Sequence, residues 1–195
     1  MTLQKTRPIR SKARRKKCRH CREWFQPFNT LQRACSPECA IEVARKDGQK
    51  ELRKANRLAR EALKTRGDYQ REAQQAFNAY IRERDHGQPC ISCGTTEGWD
   101  RSNYWDCGHY RSTGANPELR FVEMNAAAQC KRCNQHLSGN VVNYRIGLRQ
   151  RIGDEKLEWL EGPHPATNYS RDDLKAIRDE YRAKARELKR QRQRA

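Results

Sequence analysis

Apolar material is scarce in this 195-residue chain: hydrophobic residues make up 35%, against roughly 45–50% in ordinary globular domains. A chain of this length fits one or two small domains. With so little apolar content, their cores need support from metals, disulfides or partners. No apolar run approaches the ~18 residues of a spanning helix, which argues against a helical membrane protein. The N-terminus lacks the apolar centre of a signal peptide, so a cytosolic location is expected. Acidic residues are also short, 24 against 42 Lys and Arg, leaving a net charge of +18. Such a surplus suits a polyanion, of which nucleic acid is the commonest.

Cysteine, by contrast, is plentiful. Eight of the nine cysteines form close pairs: Cys18 and Cys21, Cys35 and Cys39, Cys90 and Cys93, Cys130 and Cys133. In a cytosolic chain such pairs are metal ligands rather than disulfides. They make two four-cysteine sites of the kind that tetrahedral Zn²⁺ requires. Cys107 is left over and reads as a buried apolar filler. His20 lies inside a knuckle already complete in cysteine and reads as non-ligating. His86 and His164 carry no signal.

The order of segments follows from composition. Residues 1–17 hold eight Lys or Arg and no acid, a basic arm that is disordered, phosphate-binding or both. Residues 18–39 form a zinc module, with Trp24, Phe25 and Phe28 to pack around its metal and Ser36-Pro37 to start a helix. Residues 40–87 read as a basic helical linker or hairpin. A long helix spans about 40–66 with a thin apolar stripe, then Gly67-Asp68 breaks it and a second helix runs over about 69–85. The long helix is equally a solvated linker and a DNA-tracking surface. Residues 88–152 hold the other cysteine pairs, and the stretch from Arg82 to His136, with seven basic and seven acidic residues, is locally neutral. Residues 153–195 are helical, with a short helix stopped at Gly162-Pro163, then a last helix capped by Ser170 and ending in a basic tail. The fold class expected is α+β, mainly helical.

From Asp106 to Asn140 the sequence reads as a strand ending near His109, a loop through Gly114 and Asn116-Pro117, and a short strand around 120–122. A helix then begins at Cys130 and Cys133, and its zinc clamps the hairpin to that helix. A strand histidine, an asparagine about sixteen positions later and a Cys-x2-Cys-Asn helix start resemble the HNH (His-Me finger) endonucleases with a four-cysteine zinc. The whole chain is also similar to the phage NinG family, the Rap proteins of lambdoid phages.

The resemblance implies a treble-clef-like ββα-metal core and a structure-specific endonuclease cutting Holliday junctions and D-loops in the host cytoplasm. It makes His109 the general base and Asn125 the residue that fixes the hairpin or orients the histidine, with Asn134 or His136 in third place. The chemistry suits these types. A neutral imidazole can take a proton from water near neutral pH. Mg²⁺ or Mn²⁺, held by oxygen donors such as Asn and carboxylates, can offset charge on the departing oxygen.

One position departs from the pattern: many HNH proteins carry Asp directly before the histidine, where Gly108 stands here. Asp106 lies three residues before His109, on the opposite face of a regular strand. A bulge at Cys107-Gly108 would be needed to make it a metal ligand. Plainer readings remain for each residue: His109 as a spare ligand or cap, His136 as a solvated side chain, Asn125 as a helix N-cap before Ala126-Ala127-Ala128. DNA contacts are expected from Arg14, Arg15, Lys16, Lys17, Arg53, Lys54, Arg57, Arg111, Lys131, Arg132, Arg190 and Arg192. Branched DNA and a homodimer are the expected partners, with other recombination proteins conceivable. The rival functions are a non-catalytic DNA-binding accessory protein and an RNA-binding zinc protein.

Overall fold

The computed structural model describes residues 14–101 and 104–194. Most of the basic arm, residues 1–13, lies outside the described residues. The chain divides into two compact units at Leu63–Lys64, each built around one cysteine set.

In the first unit, Lys16–Lys17 (β1) pairs antiparallel with Trp24–Phe25 (β2), so the end of the basic arm is a strand rather than free chain. Helix α1 spans Pro37–Ala62. Ser36 caps it by accepting the Cys39 N–H, and Pro37 occupies a first-turn position where no N–H is needed. Cys18, Ala34 and Val43 form the small core, with Phe25 and Cys39 packed against it. Of the three aromatics expected around the metal, only Phe25 packs there; Phe28 and Trp24 are exposed. Val43 is the single buried residue of α1.

The second unit begins with a capping box. Thr65 accepts the Asp68 N–H while Asp68 accepts the Thr65 N–H, starting α2 over Arg66–Arg84. Gly67-Asp68 is therefore the first turn of a helix, not the break between helices. Strand β3 (Trp105–His109) pairs antiparallel with β4 (Ala126–Cys130), from Trp105 opposite Cys130 to His109 opposite Ala126. Helices α3 (Val141–Ile152), α4 (Asp154–Glu161) and α5 (Arg171–Arg194) follow. Ser170 and Asp173 make a second capping box at the start of α5.

The expected strand at 120–122 is not formed; two 3-10 turns, Pro117–Leu119 and Glu123–Asn125, occupy that region. The alanine run that reads as helix is instead β4, buried throughout. Packing overrides propensity there, because the hairpin is covered on both faces. Ala126 belongs to the core of α2 and α5 (Phe77, Ile81, Leu174, Tyr181), and Ala127 to that of α3 and α4 (Tyr144, Leu148, Leu157, Leu160). Side chains larger than alanine would hold the helices off.

One buried ion pair network ties these layers together. Asp85, 5% exposed, bonds both Arg84 and Arg151 and accepts the Ala128 N–H of β4 at 2.9 Å. Burial alone would push its carboxyl up. Arg84, the Ala128 N–H and Arg151 outweigh that and hold it below its ordinary value. Its contribution is thus complete above the unfolded carboxyl pKa of about 3.9 and disappears as pH falls through the lower folded value. Asp85→Ala leaves the half-buried Arg84, the more exposed Arg151 and a buried strand N–H without this carboxylate, and is expected to cost about 1–3 kcal/mol. Urea unfolding at pH 7 checks this; a loss below about 1 kcal/mol would contradict it.

Candidate metal sites and catalytic histidine

The ligand atoms of Cys18, Cys21, Cys35 and Cys39 all lie within 4.8 Å of one another, as do those of Cys90, Cys93, Cys130 and Cys133. Tetrahedral Zn–S bonds of about 2.3 Å place sulfurs about 3.8 Å apart. The observed spacings match: Cys21 to Cys35 is 3.5 Å, Cys35 to Cys39 is 3.6 Å and Cys93 to Cys130 is 3.8 Å. None is a disulfide. The second set is also prepared for thiolates, since the Cys130 N–H points at Cys90 Sγ and the Asn140 amide at Cys133 Sγ.

Without a cation, burial would push the Cys18 thiol of the first set up, but the backbone N–H groups of Cys21, Cys35 and His20 outweigh it and bring it down to about 6, while crowding opposes ionisation of others. Neighbouring thiols of Cys21 and Cys39 push Cys35 up to about 12, and burial does the same to Cys130. A divalent cation reverses both effects. Both sets fit structural zinc: four thiolates close the coordination shell and leave no position for substrate. Helix α3 approaches the second set closely, for a Cβ on Gly147 would fall 2.0 Å from the Ile91 carbonyl oxygen.

His109 ends β3, half-buried with its ring 5.7 Å from that of Phe77. Its Nε2 lies 3.1 Å from the Arg120 carbonyl oxygen. A carbonyl only accepts, so that bond requires the hydrogen on Nε2 and leaves Nδ1 with the lone pair in the neutral ring. Burial, helped by the Arg120 charge, lowers the pKa of His109 and outweighs the opposing pull of the Arg120 and Cys107 backbone groups. The imidazole is therefore neutral near pH 7.

Asn125 sits at the entry to β4 and is fully buried. Its Oδ1 accepts the Arg111 N–H at 2.8 Å, and its Nδ2 donates to the carbonyls of Arg111 and Leu119 at 3.0 and 3.1 Å. It is no helix cap. It closes the loop whose ends carry His109 and Arg120, and so sets the bond between them. Aspartate lacks the donors for this task.

The remaining expected residues gather elsewhere. The pairing of β3 with β4 runs without a bulge, so Asp106 and His109 face opposite sides of the strand. Asp106 accepts from Asn134 Nδ2 at 2.9 Å and Gln135 Nε2 at 2.7 Å. The segment holding Cys133 and Asn134 is a single π-helical turn, Arg132–His136, rather than the start of a long helix; His136 is exposed at its end. Gly108 has a steric reason: a Cβ there would lie 2.3 Å from Gln129 Oε1. Gln129 is fully buried and bridges Ser92 to the Gly139 carbonyl. An aspartate before His109 would have to displace the Gln129 side chain.

Among the described residues, the two cysteine sets are the only groups of three or more His, Cys, Asp and Glu side chains close enough to hold a metal ion.

The basic residues differ in availability. Arg14, Arg15, Lys17, Arg53, Lys54, Arg57 and Arg132 are exposed, with Lys16 and Lys131 partly so. Lys16 bonds the Thr30 carbonyl, and Arg111 reaches Asn116. Arg190 pairs with Glu187, and Arg192 with Glu83. Arg82 and Arg101, not expected from sequence, share a cavity with Arg192. Only the fold brings those three together. No helix among the described residues is long and apolar enough to cross a membrane.

These features define a strongly basic, helix-rich α+β protein whose two four-cysteine groups could each hold zinc. The family model for "Bacteriophage Lambda NinG protein" matches residues 10–191, and the chain belongs to the NinG family. It is 42% identical to "Protein ninG" of Escherichia phage lambda over 95% of this chain and 98% of that one. Identity to "Protein ninG" of Salmonella phage P22 is also 42%, over 92% and 96%, and to that of Escherichia phage 933W it is 40%, over 95% and 99%. No solved structure matches the chain.

Proposed function

We propose that this NinG-family protein is a structure-specific endonuclease of the HNH class that requires Mg²⁺ or Mn²⁺ and cuts branched DNA in the host cytoplasm. The observation that carries the reading is His109, buried enough to stay neutral and held through Nε2 by the Arg120 carbonyl. Its Nδ1 can take a proton from water attacking a phosphodiester. Asn125 positions this base by closing the loop between His109 and Arg120. A hard divalent cation, when bound, would offset charge on the departing oxygen. The described residues do not gather an acidic or imidazole site for it beside His109, so the roles assigned to them are those of base and positioning residue alone.

Affinity comes from the charge of +18, which predicts steep weakening with salt as phosphate contacts release counterions. Symmetric cutting of a four-way junction needs two active sites, so a homodimer is the working unit of this proposal. Labelled four-way junction and linear duplex, incubated with Mg²⁺, Mn²⁺ or EDTA, test it. Cutting of the junction alone, lost in EDTA, is the expected result. Tight binding without cutting under either metal would leave a DNA-binding accessory protein.

A further inference from the structure

A second site lies outside the His109 loop. Between the C-terminal end of α2, the segment entering β3 and the end of α5 is a cavity of about 420 Å³, within the range of small-ligand sites. Arg82, Arg101 and Arg192 line it. Arg192 is engaged with Glu83, whereas Arg82 and Arg101 make no ion pair among the described residues. The other acid on the wall, Asp106, accepts from the neutral amides of Asn134 and Gln135 and keeps its charge. Three arginines against two carboxylates leave the wall with a net formal charge of +1, and neither Arg82 nor Arg101 is ion-paired among the described residues.

The wall beside them is aromatic. Trp99 stacks on Trp105 with ring centroids 4.1 Å apart and planes 9° from parallel, and His86 continues the column 4.8 Å from Trp99. Trp105 is 6% exposed, and its buried Nε1–H has no partner.

We infer that this cavity holds one unstacked nucleotide of single-stranded DNA, its phosphate on Arg82 and Arg101 and its base against the exposed His86 end of the His86–Trp99–Trp105 column. Free cations and a π-face side by side are what a single strand offers to match, because a duplex hides its base faces. At a branch point, such a pocket captures the strand that has left the stack. The inference rests on the DNA-binding part of the reading above and is independent of cleavage.

The test uses full-length protein with its zinc, without added Mg²⁺, and reads tryptophan fluorescence as eight-residue oligo-dT, the matching oligo-rU or a short blunt duplex is added. Oligo-dT should quench the emission. The double variant Arg82→Ala/Arg101→Ala should weaken oligo-dT binding roughly tenfold or more while duplex binding falls less than about threefold. Both arginines lack ion-pair partners, so the variant should fold, and His86→Ala gives a second, exposed probe of the column. Equal losses for duplex and single strand would reduce the site to general phosphate attraction and overturn the inference. Unchanged oligo-dT binding would overturn it as well, and equal pocket dependence for oligo-rU would overturn DNA as the ligand. A protein that never cuts yet shows this pocket dependence would refute the nuclease reading alone.

Discussion

Loss of metal from Cys90, Cys93, Cys130 and Cys133 should unfold most of the second unit. Cys130 ends β4, Cys133 opens the π-helical turn, and Cys90 and Cys93 lie in the loop against which α3 packs. One ion bound there would therefore hold the hairpin, the loop and the approach to α3 at once. Structural zinc contributes about 10–16 kcal/mol in small zinc-finger peptides. That is comparable to the whole net stability of ordinary domains, about 5–15 kcal/mol. The demand is greater because the chain is poor in apolar residues. Purified protein should carry two zinc ions, and Cys130→Ser one. Circular dichroism with chelator, or of that variant, should show lost helix and no cooperative thermal transition for the second unit. A metal-free chain that still unfolded cooperatively with its full helix content would contradict a structural role for the ion.

Replacing His109 by alanine should reduce cleavage about 10²–10⁴-fold, the usual contribution of a positioned general base, with junction binding almost unchanged. The wild-type pH profile carries a second signature. In the proposed role the base acts as neutral imidazole, so the rate should fall as His109 becomes protonated. Burial places that protonation below the ordinary histidine value. Half-maximal rate on the acid side is thus expected below about pH 6.5. Retained cutting by His109→Ala, or an acid limb centred clearly above pH 6.5, would remove His109 from the role of base.

Local chemistry was the legible part. Cysteine pairs at short spacing announce metal knuckles because the geometry of each pair is built within a few residues. Ser36-Pro37 and Ser170 announce helix starts for the same reason, since a cap bonds only to its own first turn. The histidine at the end of a strand was legible from its pattern, and it does end β3.

Tertiary structure decided what depended on residues far apart. By propensity alone Ala126–Ala128 is helix; it is strand because helices close over both faces of the hairpin. Asn125 reads equally as a cap or a scaffold until Arg111 and Leu119 are placed around its amide. Gly108 looks like a missing ligand until Gln129 fills the space its Cβ would need. Arg82 and Arg101 look like two more charges in a basic chain until α2 and the segment before β3 set them on one cavity wall. Sequence by itself determined the metal knuckles, the charge and the helix caps, because those act over a turn or less. The hairpin, the setting of His109 and the arginine cavity needed the fold, because each joins residues whose separation along the chain carries no record of their contact.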